Sequence, residues 1–471
     1  MIKKTENGAI AFEGLCSKVT TLFGSIGASR NIDKDIIVNR IKEAYNESAD
    51  LTRRMCLYAR DIRCGGLGER KIGRIFIETM YKLDPNFILQ NLNKLVLYGR
   101  WDDITELFVK TKDEKILEFI YKQLQNDLVS ETPSLLAKWM PSENTSSNKT
   151  RAAAKIIRNA LAMSPKSYRK ILSSIRKKLN LVETKLTNKS YNEIEYSSVP
   201  SVAMNMYKKT FIEKDGERFE EFISKVENGK ETINAGVLFP YNITESLNRC
   251  YYGCYLTKDE LRAIEQQWKA LPDYVDFSED VLVMADVSGS MEGRPMATSI
   301  GMALYFAERN TGVFKNQFIT FTDIPRLFHL DPTLSLQDRY RLVSKEVGYN
   351  TNLDGALEAI VKSNGSPKAL LVISDCEIDR FVGDGKRVQT IVAKYKSLFK
   401  AAGKTMPKII FWNVEGGKSF LSLENENVAF TSGYSASIFT QLESLIKKGS
   451  IEAIIEILSK YNYNTEEDMP W

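Results

Sequence analysis

The chain has 471 residues, 65 Lys and Arg against 60 Asp and Glu, six cysteines and a single histidine. That length suits two or three domains, and no apolar run reaches the roughly 18 residues needed to span a bilayer. One histidine, His329, excludes sites built on two imidazoles, and the scattered cysteines fit a reducing compartment better than a disulfide framework.

The opening MIKKTENGAIAFEG has no apolar stretch of signal-peptide length, so the expected location is cytoplasmic. Charge is unevenly divided. Residues 1–270 hold 44 basic and 34 acidic side chains, and the remainder holds 21 and 26. A basic first part joined to a mildly acidic second part directs any polyanion to the first.

From about residue 33 to 270 apolar residues recur at three- and four-residue steps: Ile36, Ile37, Val38 and Ile41, then Met55, Leu57, Tyr58 and Ile62. Short turns punctuate them, among them CGGLGE (64–69), DPN (84–86) and SPK (164–166). The pattern predicts helical hairpins stacked in series, a HEAT-like helical-repeat domain over residues 1–272.

Within it, Arg63 and Arg70 flank the Gly-rich turn, and two readings stay open. They hold a phosphate over the turn's N–H groups, or they lock a helix corner through carboxylates. Arg60 and Asp61 favour the lock. In YGRWDD (98–103) Trp101 reads as a core anchor, Asp102 and Asp103 as helix caps, and Arg100 as the functional candidate. Residues 149–189 then carry twelve basic side chains and one acid, Glu183. Arg151, Lys155 and Arg158 share a helix face at i, i+4 and i+7. Arg169, Lys170, Arg176 and Lys177 continue the charge on the next helix. Helix faces of one sign repel unless a polyanion neutralises them, so nucleic acid is the expected partner and phosphate the expected contact, with a solvated face as the alternative.

After Pro272 the texture changes. VLVMA (281–285), QFITF (317–321), ALLVI (369–373) and KIIFWNV (408–414) read as buried parallel strands, separated by helical stretches at 295–309, 335–346, 353–363 and 387–402. Alternating strand and helix predict a doubly wound, Rossmann-like sheet over residues 273–447. A closing helix and a loose polar tail are expected over 448–471. Three loops supply hard oxygens where such sheets place their sites: Asp286, Ser288 and Ser290 after the first strand, Thr351 before a helix, and Asp375 after the third. Hydroxyls and carboxylates without imidazole or thiolate suit Mg²⁺ or Mn²⁺.

Asp-x-Ser-x-Ser, a distant Thr and a strand-ending Asp resemble the metal-ion-dependent adhesion site of von Willebrand factor A domains, over about residues 278–445. The resemblance implies that the two serines bind the metal directly, and that an acidic partner group fills an open position. YARDIRCGGLGER (58–70), YGRWDD (98–103), LLAKWMPSENTSS (135–147) and YSSVPSVAM (196–204) resemble the helical part of TROVE proteins, the Ro autoantigen group, most of all uncharacterised members that end in an A domain. That resemblance spans nearly the whole chain. It implies a ring or arc of helical repeats that binds small structured RNA.

The expectation is therefore a multidomain α + α/β chain acting as a non-enzymatic RNA-binding protein. The alternative is a metal-dependent scaffold that grips a carboxylate of a protein partner. A phosphoryl-transfer enzyme is disfavoured by the single metal set, the missing adjacent general base and the lack of a P-loop.

Overall fold

The structure is a computed structural model that describes residues 2–4, 10–12, 18–63, 65–251, 255–274, 280–320, 322, 324–346, 352–374, 385–414, 427–434, 437–447 and 450–465. The chain forms two compact units. One joins residues 1–47 to 195–457, and the other joins 48–194 to 458–471.

In the first unit, α1 (Lys18–Ile26) and α2 (Lys34–Glu47) follow a short antiparallel pairing of Ile2–Lys4 with Ile10–Phe12. The second unit runs through α3 (Ala49–Arg60), α4 (Arg70–Leu83), α5 (Pro85–Gln90), α6 (Leu92–Tyr98), α7 (Trp101–Thr111), α8 (Glu114–Val129), α9 (Leu136–Trp139), α10 (Asn148–Ala160), α11 (Pro165–Lys178) and α12 (Val182–Asn188). Its helix starts are written in the sequence. Ser48, Asp84, Asp113, Ser147 and Ser164 each accept a hydrogen bond from a first-turn N–H, and Pro85 and Pro165 occupy the first helical position.

The chain then returns to the first unit through α13 (Ser201–Glu227), α14 (Pro240–Tyr251) and α15 (Lys258–Lys269). The sheet strands are β1 (Val281–Ala285), β2 (Gln317–Thr320), β3 (Leu327–His329), β4 (Ala369–Ser374), β5 (Lys408–Asn413) and β6 (Val428–Ser432). Between and after them lie α16 (Arg294–Arg309), α17 (Leu336–Ser344), α18 (Leu353–Lys362), α19 (Gly385–Ala401), α20 (Ser437–Lys447) and α21 (Ser450–Ser459).

The strand order is β3-β2-β1-β4-β5-β6, parallel except for β3, which pairs antiparallel with β2 at one edge. Successive side chains leave a strand on opposite faces, and the two cores follow that alternation. Val281, Val283 and Ala285 join Leu371, Ile373, Ile410 and Trp412 on one face, while Leu282 and Met284 join Leu370, Val372, Ile409 and Phe411 on the other. A helical region thus precedes a mixed α/β sheet, as the sequence patterns predict.

The boundary expected at residue 272 does not coincide with the compact units. Leu238, Ile243, Leu247, Trp268 and Leu271 belong to the apolar core of the sheet's first face. The crossing of α14 over α16 is close: Thr244 Oγ1 donates to the Ala297 carbonyl at 2.8 Å, and a Cβ on Gly301 would lie 2.9 Å from Thr244 Oγ1. Helices read as part of the repeat domain therefore cover the sheet. The tail differs from expectation as well. Residues 458–465 pack into the second unit through specific hydrogen bonds, although their composition is polar.

Candidate functional site

The strand order reverses direction between β1 and β4. In open α/β sheets the crevice at the C-terminal ends of two such strands is where ligands bind. Asp286 follows β1 directly, and its N–H continues the ladder by donating to the Ile373 carbonyl at 3.1 Å. Its side chain is almost wholly buried, at 2% exposure. Oδ1 accepts the Ser288 N–H at 2.9 Å, which tightens the loop into an Asx turn. Oδ2 accepts the Ser374 hydroxyl at 2.7 Å from the end of the neighbouring strand. A short 3₁₀ turn, Gly289–Met291, then brings Ser290 beside Ser288 with their hydroxyl oxygens 3.1 Å apart.

One oriented carboxylate and two adjacent hydroxyls thus meet at the switch point, with Ser288 half-buried and Ser290 exposed. Thr351 and Asp375 lie outside the described residues. Among the described residues no group of three or more His, Cys, Asp or Glu comes together. Sequence reasoning passed over Ser374, although its place at the end of an apolar strand was a usable signal. Asn413 and Ser432, register partners along the same edge, extend a row of buried polar groups across β4, β5 and β6.

The other candidate residues lie in the second unit. Residues 48–148 hold 15 basic and 14 acidic side chains, so the excess charge of this unit comes from 149–189. Several candidate arginines have structural partners. Arg63 donates to the Val96 and Leu97 carbonyls at 3.1 and 2.8 Å and closes the C-terminal end of α6. Arg70 donates to Asp102 at 2.8 Å. Arg100 makes a two-pronged pair with the same carboxylate at 3.0 and 2.9 Å, its guanidinium 4.0 Å from the Trp139 ring centre. Arg176 donates to the Ala137 and Met140 carbonyls and to Ser142, which ties the α9–α10 connection to α11.

Glu143, just outside the counted stretch, pairs with Arg158 at 2.8 Å and Arg169 at 3.4 Å. Glu183 is taken by Lys138 at 2.9 Å. Arg151 stays exposed and donates to the Thr145 carbonyl. Five exposed lysines have no partner among the described residues: Lys155, Lys166, Lys170, Lys177 and Lys189. Lys166, Lys170 and Lys177 sit at i, i+4 and i+11 of α11, one stripe. The stripe lies opposite the buried Tyr168, Leu172 and Ile175.

Trp101 is a core anchor, stacked on Phe119 with ring centres 5.3 Å apart. Arg60 and Asp103 form a buried ion pair, which is the helix-corner lock. No helix among the described residues is long and apolar enough to cross a membrane.

Two family models match the chain in succession. Residues 145–277 match a domain of unknown function, DUF2828, and residues 280–468 match another, DUF7788. The first spans the basic helices, and the second runs from the sheet into the segment that packs on the helical unit. The uncharacterized protein L728 of Acanthamoeba polyphaga mimivirus is 25% identical, over 98% of this chain and 88% of that one. The crystal structure of the Deinococcus radiodurans RO (RSR) protein aligns over 94% of this chain and 95% of its own, at 10% identity. Its TM-score of 0.38 is below the level of a shared fold.

Proposed function

We propose that the chain is a non-enzymatic RNA-binding protein of the Ro/TROVE kind that takes structured small RNA on α10–α12. The observation that carries this reading is the set of five exposed lysines on α10–α12, three of them in one stripe of α11, without carboxylate partners among the described residues. An exposed protein surface ordinarily mixes charges of both signs, and phosphates supply the missing sign. Arg151, Lys155, Lys170 and Lys177 supply phosphate contacts. Arg158 and Arg169 share one carboxylate between them and contribute a weaker field. Arg63, Arg70, Arg100 and Arg176 hold the helices that present this face. The four TROVE-like motifs, in order along the chain, support the family reading. On it, the helices of the second unit are a HEAT-like series and the sheet is a von Willebrand A-type domain. The expected location remains cytoplasmic.

The residues at the switch point fit Mg²⁺ or Mn²⁺. Asp286 is buried and oriented by two donors, Ser288 and Ser290 place two hydroxyls side by side, and every donor is a hard oxygen. Thr351 and Asp375 would complete the set. Such an ion supplies a Lewis-acidic position for an oxygen ligand, and this chain's residues would fix its place at the sheet edge. The exposure of Ser290 favours a second reading, in which a partner protein presents a carboxylate to that metal. Filter binding of structured RNA to wild type and to the Lys155→Ala/Lys170→Ala/Lys177→Ala variant separates the two. Weakened RNA binding supports the first reading. Absence of RNA binding by wild type, with an EDTA-sensitive protein partner, establishes the second.

A further inference from the structure

The turn after α3 is built around Asp61, whose carboxylate accepts the Arg63 N–H at 2.8 Å, the Gly66 N–H at 2.9 Å and the Tyr461 hydroxyl at 2.7 Å. The turn packs so closely on the end of α3 that it admits no side chain at Gly66, whose Cβ would collide with the Tyr58 carbonyl oxygen. Tyr461 is buried, with its ring centre 5.7 Å from that of Tyr58 and 5.2 Å from that of Tyr98. Two residues on, Tyr463 meets Phe87 edge-on at 5.3 Å and donates to Asp50 at 2.9 Å. The Arg53 and Arg54 guanidiniums lie 5.7 and 5.5 Å from the Tyr463 ring centre.

Asn464 is read through its backbone as well as its side chain. Its N–H donates to Asn91 Oδ1 at 2.7 Å and its carbonyl accepts Asn91 Nδ2 at 3.1 Å. Its own amide donates to the Gln90 carbonyl at 3.2 Å. Asn91, wholly buried, thus pairs with the segment as a neighbouring strand would. Arg54 donates to the Tyr461 carbonyl and to Asn462 Oδ1, both at 3.3 Å.

Alternate side chains entering pockets while polar groups read the backbone is how proteins recognise extended peptides. Residues 461–465 have no helix or strand of their own; the Tyr461 N–H turns back to the Leu458 carbonyl at 3.0 Å, and the side chains and backbone named above are held by the groove. We infer that the groove formed by α3, α5 and α6 is a peptide-recognition site for an extended Tyr-x-Tyr-Asn sequence, filled in cis by Leu458–Thr465 as a releasable clasp. The clasp holds the Asp61 turn and, through it, the positions of Arg63 and Arg70. Release of the clasp opens the groove to the same sequence from a second copy of this chain.

The test uses the full chain carrying Tyr461→Ala and Asn464→Ala, and a fluorescent synthetic peptide of residues 456–466. Fluorescence anisotropy should show saturable binding to this variant and at least about tenfold weaker binding to wild type, whose groove is already filled. A peptide with the same two alanines should not bind. Equal peptide affinity for wild type and variant, or no binding to a folded variant, overturns the inference. If the double variant does not fold, Tyr461→Phe removes only the hydroxyl. Amide exchange at Gly66 and Leu67 should then quicken about tenfold, the effect of losing a buried hydrogen bond worth about 1.4 kcal/mol. Unchanged exchange there contradicts the clasp.

Discussion

Arg60 Nε donates to Asp103 Oδ2 at 2.7 Å, and both side chains are buried. Two glycines leave room for the guanidinium stem: a Cβ at Gly73 would lie 2.7 Å from Arg60 Cδ, and one at Gly99 would lie 3.1 Å from Arg60 Cγ. Asp103 also accepts Arg74 Nε at 2.7 Å and the Arg100 N–H at 3.1 Å. Asp103→Asn leaves the buried Arg60 guanidinium uncompensated, while Arg74 keeps Asp102 and Glu106. A loss of about 3–5 kcal/mol is expected, against about 0.5 kcal/mol or less for Arg70→Ala at the exposed rim. Urea denaturation of each variant measures the difference, and equal midpoints contradict the lock.

Acid should weaken the same corner. Burial alone would raise the Glu106 carboxyl, but its hydrogen bond from Lys110 and the Arg74 and Lys110 charges outweigh burial and hold it below the usual glutamate range. A depressed carboxyl contributes stability above its unfolded value, and that contribution is lost as pH falls through the folded value. Melting temperature should therefore drop more between neutral and acid pH in wild type than in Glu106→Gln. Parallel profiles rule the coupling out.

Gly27 sits where α1 meets the end of β6. A Cβ there would fall 2.2 Å from the Ser432 carbonyl oxygen, a rigid backbone atom. Gly27→Ala must displace the helix, so a loss of about 1–3 kcal/mol is expected, while Ala in place of the open Gly216 should be close to neutral or stabilising. Thermal melts of the pair decide it.

Asp286 is too buried for Asp286→Ala to report on the metal alone, since that change strands the Ser374 hydroxyl. Asp286→Asn keeps the shape and removes the charge. Mn²⁺ titration by calorimetry should show binding to wild type and none to the variant, with near-equal melting temperatures of the metal-free forms. Equal Mn²⁺ affinity removes the metal site from the account.

The sheet was largely legible because β1, β2, β4 and β5 are apolar on both faces. β3 and β6 were not. LFH is three residues long, and VAFTS carries no sustained apolar run. The cover that α14 and α15 give the sheet escaped prediction because a helical apolar stripe does not say which core it joins. Polar composition made residues 462–465 look loose, while Asn464 is held by Asn91 and Gln90. Arg176 read as a surface cation because its partners are backbone carbonyls, which leave no mark on a sequence. The Asp286, Ser288 and Ser290 loop was legible because its spacing and its place after a strand are both local.

The central claim is that α10–α12 meet nucleic acid through phosphate contacts. The most direct measurement is the salt dependence of structured-RNA affinity for wild type and for a variant with Ala at Lys155, Lys166, Lys170, Lys177 and Lys189. Counterion release gives a slope of about 0.7–0.9 per phosphate neutralised. The account predicts weaker binding by the variant, a shallower slope by several such increments, and unchanged preference among RNA sequences. Superimposed curves at every salt concentration would contradict it.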